Sequence, residues 1–187
     1  MSTQQPPISI RLIQATSILI PTLTSGSSLA LSTLLTPRLL ESPTPLMLHQ
    51  WANNHRVTSR IFPVLSTLST ALYLTLALCH SRYYSTAANA KGWKLYLAAG
   101  LLCFSATPYT WAFMIPLNRR ILRKAEGMRG LEGLGAAEVE AMDLEEEGVG
   151  PRGEEGAKWL VDQWGLWNLG RVVVWGVAGV LGLAATV

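Results

Sequence analysis

What most constrains this chain is where charge is missing. No Asp, Glu, Lys or Arg occurs between Arg11 and Arg38, from Ile61 to Cys79, from Leu95 to Asn118, or from Val172 to Val187. A helix rises ~1.5 Å per residue and the hydrocarbon core of a bilayer is ~30 Å thick, so about 20 apolar residues suffice to cross it. The first three runs reach that length unaided. The fourth reaches it when extended back through Arg171 towards Trp164 and Trp167, aromatics that suit a membrane interface. Only helices or closed barrels satisfy their backbone groups in lipid, and uninterrupted runs of this kind read as helices.

The expected architecture is all-α: an integral-membrane, up-down-up-down four-helix bundle making a single domain over residues 1–187. Its spans fall near 10–35, 61–78, 95–118 and 164–187. With 49% hydrophobic and 14% charged residues, the composition fits a membrane protein better than a soluble one. The net charge of +3 does not imply nucleic acid, because Arg and Lys cluster at the borders of the apolar runs and form no basic stripe. The first run is longer than the apolar region of a cleavable signal peptide, so it reads as a span. Cys79 and Cys103 fit neither a disulfide framework nor a metal spacing.

Prolines and small residues punctuate the spans. Pro63 is expected in the first turn of span two, and Pro108 and Pro116 are expected to kink or partly unwind the second half of span three. Thr24, Ser28 and Ser32 recur every four residues, and Gly176, Gly179 and Gly182 every three; such small-residue stripes let helices approach closely in lipid. Residues 36–60 read as a connection ending in a short surface helix, Leu46 to Arg60. The segment 119–158 starts basic and becomes glycine- and glutamate-rich, which reads as a flexible, solvated acidic loop between helices 3 and 4. Eleven of the 15 Lys and Arg residues flank the side of the first and third connections, which by the positive-inside rule faces the cytosol.

Standard catalytic machinery is absent from the sequence. There is no phosphate-binding glycine loop, no dinucleotide fingerprint and no nucleophile elbow. His49 and His55 are six apart, which is not a helical metal-ligand spacing. What needs explaining is polar residues at the membrane borders: Asn118 and Arg119 closing span three, and Asn168 and Arg171 opening span four. An alternating bundle brings these to one face with Arg38, His55 and Arg60. For Arg171 the bland alternative is snorkelling to lipid phosphates, and for Asn118 capping of a kinked helix.

These residues also carry a resemblance. Pro116-Leu-Asn-Arg-Arg120 and Trp164-Gly-Leu-Trp-Asn-Leu-Gly-Arg171, separated by a charged connector, with Gln50 and Trp51 ahead of span two, resemble the anthrone oxygenase family of small membrane proteins. The resemblance implies cofactor-independent oxidation of a polyketide anthrone to an anthraquinone by molecular oxygen, in fungal secondary metabolism, with no metal. An anthrone methylene becomes reactive once deprotonated, so the protein needs a base, an oxyanion holder and an apolar slot. His55 is the candidate base, with Asp162 competing, because an imidazole titrates near neutral pH. Arg171, Asn168 and Asn118 are the candidate oxyanion donors. Tyr109, Trp111, Trp164 and Trp167 would wall a flat aromatic substrate, with Arg60 at the same face. The rival readings are a non-oxidative cyclase or isomerase of the same superfamily, and a non-catalytic small membrane protein.

Overall fold

The computed structural model describes residues 7–83, 91–128, 135–147 and 155–186, and among these it is all-helical apart from short turns and links. The helices are α1 (Ile8–Ala30), α2 (Thr36–Leu40), α3 (Thr44–Tyr83), α4 (Gly92–Tyr109), α5 (Ile115–Gly127), α6 (Ala136–Glu145) and α7 (Ala157–Ala184). Four continuous helical stretches are long and apolar enough to cross a membrane: Ile8–Leu40, Thr44–Arg82, Gly92–Gly127 and Ala157–Ala184. The chain is a multi-pass integral membrane protein. Leucines and valines on the outward faces, such as Leu19, Leu23, Leu101, Val173 and Val180, stay exposed, as lipid-facing positions do.

The helices are longer than the charge-free runs. Residues expected to connect spans one and two instead form α2 and the first half of α3, so Pro63 lies inside a helix of 40 residues rather than in its first turn. Thr67 donates its hydroxyl to the Pro63 carbonyl at 2.8 Å. Span three is not unwound. A π-helical turn, Thr110–Met114, joins α4 to α5 directly ahead of Pro116, and a second, Leu31–Leu35, joins α1 to α2 directly ahead of Pro37. Each is closed by the amide of the residue before the proline, Thr36 onto Leu31 and Ile115 onto Thr110. A wider turn relieves the clash between a proline ring and the carbonyl four residues back, so the chain continues as helix.

Of the acidic connector, residues 129–134 and 148–154 lie outside those described, and its described residues are largely helical. Residues 119–127 prolong α5, and α6 lies beyond them. The acids of the connector cap other helices. Asp143 accepts the Thr44 amide at 2.7 Å at the start of α3, and Glu146 accepts the Ala157 amide at 2.6 Å at the start of α7. Helix N-termini present amides with no partner in the helix, and the helix dipole favours an anion there. Lys124 at 2.6 Å from Glu146 and Lys158 at 3.7 Å from Asp143 balance the two carboxylates. Burial raises the Asp143 carboxyl, but the Thr44 hydrogen bonds and the Lys158 charge outweigh it and hold the group below its ordinary value.

The chain divides into two compact units. The first comprises residues 1–26, 62–108 and 171–187 and holds most of the charge-free runs. Its helices are tied by side chains that meet backbone carbonyls: Ser25 to Val172 at 2.8 Å, Ser66 to Cys103 at 2.7 Å and Tyr73 to Ala178 at 3.0 Å. The glycine stripe of α7 packs as its spacing predicts. Gly179 faces Thr22, Gly176 faces Ser25, and a Cβ at Gly182 would overlap the Tyr73 hydroxyl.

The second unit comprises residues 27–61 and 109–170. Its core joins Leu39, Met47, Leu48 and Trp51 to Met114, Leu117 and Ile121 and to Leu160, Val161 and Trp164.

Candidate active site

In the second unit, Trp51 and His55 stand one turn apart on α3 and so share a helix face. Their rings stack in parallel, with centroids 4.9 Å apart and 9° between planes. Trp164 of α7 meets Trp51 edge-on at 5.8 Å and 86°. Trp51 and Trp164 are fully buried while His55 is half-buried, so the imidazole is held against an aromatic wall rather than left as a surface histidine. Thr58 closes this stretch of helix by donating to the Asn54 carbonyl at 3.0 Å.

Several buried polar atoms of this unit have no hydrogen-bond partner among the described residues, including Nε1 of Trp51, Nδ2 of Asn54 and Oδ1 of Asn118. Leaving such a group unpaired costs about 1–3 kcal/mol, which makes each one conspicuous. Asn118 lies within α5 at 9% exposure, so it does not cap a helix end.

Asn168 is fully buried, and its amide is committed to α1 and the π-turn that follows it. Its Nδ2 donates to the Ser28 carbonyl at 2.8 Å and to the Ser32 hydroxyl at 2.8 Å, and its Oδ1 accepts from the Ser28 hydroxyl at 3.0 Å. Both amide hydrogens are thereby used. Ser28 and Ser32, seen in the sequence as a packing stripe, are the partners that use them.

The expected aromatic wall separates into parts. Tyr109 and Trp167 come together through Phe113, which the sequence did not single out: Phe113 stacks on Trp167 at 5.0 Å and 9°, and Tyr109 tilts against Phe113 at 5.2 Å. Tyr109 donates to the Trp167 carbonyl at 2.6 Å. A Cβ at Gly170 would overlap the Tyr109 hydroxyl, so glycine is what permits this approach. Trp164 belongs instead to the Trp51 cluster. Trp111 is 76% exposed and faces outward, where an indole suits lipid or its interface. Arg60, Asp162 and Arg119 are exposed.

Arg171 belongs to the first unit and does not snorkel. It is only 8% exposed, and its guanidinium lies 5.0 Å from the centre of Phe62 and 5.7 Å from that of Trp175. Those two rings meet edge-on at 5.5 Å. A cation over ring faces keeps its charge where lipid would otherwise disfavour it.

The profile of the anthrone oxygenase family matches residues 51–181, which is most of the chain. The chain belongs to the anthrone oxygenase family. An anthrone oxygenase of Emericella nidulans is 26% identical over 196 aligned positions that take in 96% of this chain and 99% of that one. An anthrone oxygenase of Paecilomyces divaricatus is 28% identical over 69% of this chain and 78% of its own. A protein of Dothistroma septosporum described as a monooxygenase is 27% identical over 93% and 82%. No solved structure matches.

In this anthrone oxygenase family member the matched region starts at Trp51 and takes in His55, Asn118, Asn168 and Arg171. It also takes in Asn54, Phe62, Phe113 and Trp175, for which sequence reasoning had no role. Trp51 and His55 at four-residue spacing, and Arg171 and Trp175 at the same spacing, were the available signals.

Proposed function

We infer that this chain oxidises a polyketide anthrone to an anthraquinone with molecular oxygen in secondary metabolism. What supports the reading is the family match beginning at Trp51, together with a histidine held against a buried aromatic wall. The reaction balances as a methylene plus dioxygen giving a carbonyl plus water. No metal or organic cofactor is required, because the deprotonated substrate is itself the reductant. A methylene between two aryl rings, opposite a ketone, loses a proton to give an enolate delocalised over three rings, and that anion transfers electrons to oxygen.

Three tasks then fall to the protein. His55 is the base, because among side chains an imidazole is the one suited to proton transfer at neutral pH. Asn118 offers a buried amide oxygen, an acceptor rather than a donor, and Asn168 acts through position, fixing α7 against α1. Arg171 belongs to the first unit, where its guanidinium packs over the Phe62 and Trp175 rings. Tyr109, Phe113 and Trp167 form an aromatic surface for a flat substrate. The helices alternate across the bilayer, with the two larger connections on the cytosolic side, where most of the flanking Arg and Lys would lie.

The test is oxidation of an anthrone in air by the detergent-purified chain. Anthraquinone should form above the spontaneous rate with one dioxygen consumed per anthrone. No acceleration across several anthrones overturns the reading. Turnover without oxygen uptake would point to a cyclase or isomerase.

A further inference from the structure

An enolate needs hydrogen-bond donors where its charge appears, and the Asn168 amide hydrogens are already given to Ser28 and Ser32. Beside His55 the structure offers other donors. The Trp51 indole N–H and the Asn54 amide N–H are both buried without an acceptor among the described residues. Residues 51, 54, 55 and 58 follow the spacing that makes one face of a helix. That face is the inward one: Trp51 is buried and Asn54, His55 and Thr58 are half-buried, whereas Asn53, Arg56 and Val57 are exposed.

A purely structural wall would not need the indole nitrogen. Phenylalanine at position 51 would stack on His55 and meet Trp164 without burying an unmet donor. Two preorganised donors beside a base, in surroundings from which water is excluded, stabilise a charge that appears only as the reaction proceeds. Such donors need no reorganisation when the charge forms.

We propose that Trp51 and Asn54 are catalytic donors that bind the ketone oxygen of an aromatic substrate and hold it as the enolate oxygen when His55 takes the methylene proton. This deepens the oxidative reading above and rests on it for the identity of the substrate. In the step concerned, the methylene C–H bond breaks, its proton passes to the imidazole, and its electron pair moves through the central ring onto the ketone oxygen. That oxygen accepts the two N–H donors. Dioxygen then adds to the carbanion carbon, taking its electron pair, and the returned proton makes the adduct a hydroperoxide. The second methylene C–H bond and the O–O bond then break together, leaving the carbonyl and releasing water that carries both former methylene hydrogens. The parallel stack of His55 on Trp51 ties base and donor to one rigid face.

The test compares the full-length wild type with Asn54→Leu, Trp51→Phe and a variant carrying benzothienylalanine at 51, whose sulfur replaces the indole N–H while the ring shape is kept. Each change should lower kcat by about 10²-fold with KM shifted less than ~3-fold, the pattern of an interaction made in the transition state. Normal kcat in folded benzothienylalanine and Asn54→Leu proteins, with His55→Ala inactive, overturns the donors and leaves the oxidative reading standing. If the wild type oxidises no anthrone, binding of 1-hydroxyanthraquinone decides. Wild type should stabilise its phenolate, seen as red-shifted visible absorption at lower pH than for the free dye, and the variants should lose that shift. No such shift in the wild type, or an equal shift in the variants, overturns the proposal. Asn54 is only half-buried, so its variant keeps the test open if changes at 51 prevent folding.

Discussion

The two units treat their buried polar groups differently. In the first, Ser25, Ser66 and Tyr73 each find a carbonyl on another helix, and Gln14 donates to the Tyr96 hydroxyl at 2.9 Å. Among its described residues the Trp175 indole nitrogen, whose ring lies beneath Arg171, is an exception. In the second, the indole of Trp51 and the amides of Asn54 and Asn118 each keep a buried polar atom without a partner among the described residues. Hydrogen bonds between helices hold a bundle together in lipid, where no hydrophobic drive separates helix from solvent. Polar atoms left unpaired do not contribute to holding it. The first unit thus reads as scaffold, and the second carries the groups proposed for chemistry.

Substitutions can break this contrast. The largest effect is expected at His55: His55→Ala should lower oxygen uptake with an anthrone by at least ~10²-fold, as loss of a general base does, with an unchanged melting profile. Tyr73→Phe, which removes a fully buried polar group from the first unit, should leave kcat within ~3-fold and lower the melting temperature instead. Equal kinetic effects from the two would erase the distinction.

A glycine pair probes packing in both units. Gly170→Ala should displace Tyr109 and Gly182→Ala should displace Tyr73, each destabilising the detergent-solubilised protein by about 1–3 kcal/mol. Only Gly170→Ala, which disturbs the Tyr109, Phe113 and Trp167 surface, should also raise KM. Arg171→Ala removes the cation over the Phe62 and Trp175 rings and should lower the melting temperature, and Arg171→Lys should recover part of the loss, because a lysine keeps a cation there. An unchanged melting temperature in the Arg171→Ala protein would leave these ring contacts without weight in the fold.

The smallest effect concerns Asp143. Asp143→Ala removes the cap of α3 and should lower stability at neutral pH by about 1 kcal/mol. The folded-state pKa of this carboxyl is depressed, so its contribution is complete above the unfolded value near ~4 and disappears as pH falls through the lower folded value. Chemical denaturation of wild type and variant should therefore converge below about pH 4. A gap that persists at lower pH would show that packing of α6, rather than the ionised cap, is responsible.

Much of this was legible in residue order. Charge-free runs must become membrane-crossing helices, because lipid leaves the backbone no other partner, and residues near their borders carried the family resemblance. The sites of the two π-turns were legible only as prolines: Pro37 and Pro116 announce a disturbance, but whether the helix unwinds or widens depends on what packs around it. In the connector, charge and glycine content report average solvation. They do not reveal that Asp143 and Glu146 meet the starts of α3 and α7.

The sequence alone determined the solvent, the class of fold and the family, since hydropathy and short motifs are local properties. Only the tertiary structure decided which polar residues are already bonded. Asn168 looked like a donor until Ser28 and Ser32 took its hydrogens, and Trp51 was only part of a motif until its N–H was found buried without an acceptor among the described residues. Hydrogen-bond satisfaction depends on partners more than a hundred residues apart in the chain, as Ser28 and Asn168 are, and no local pattern encodes that pairing.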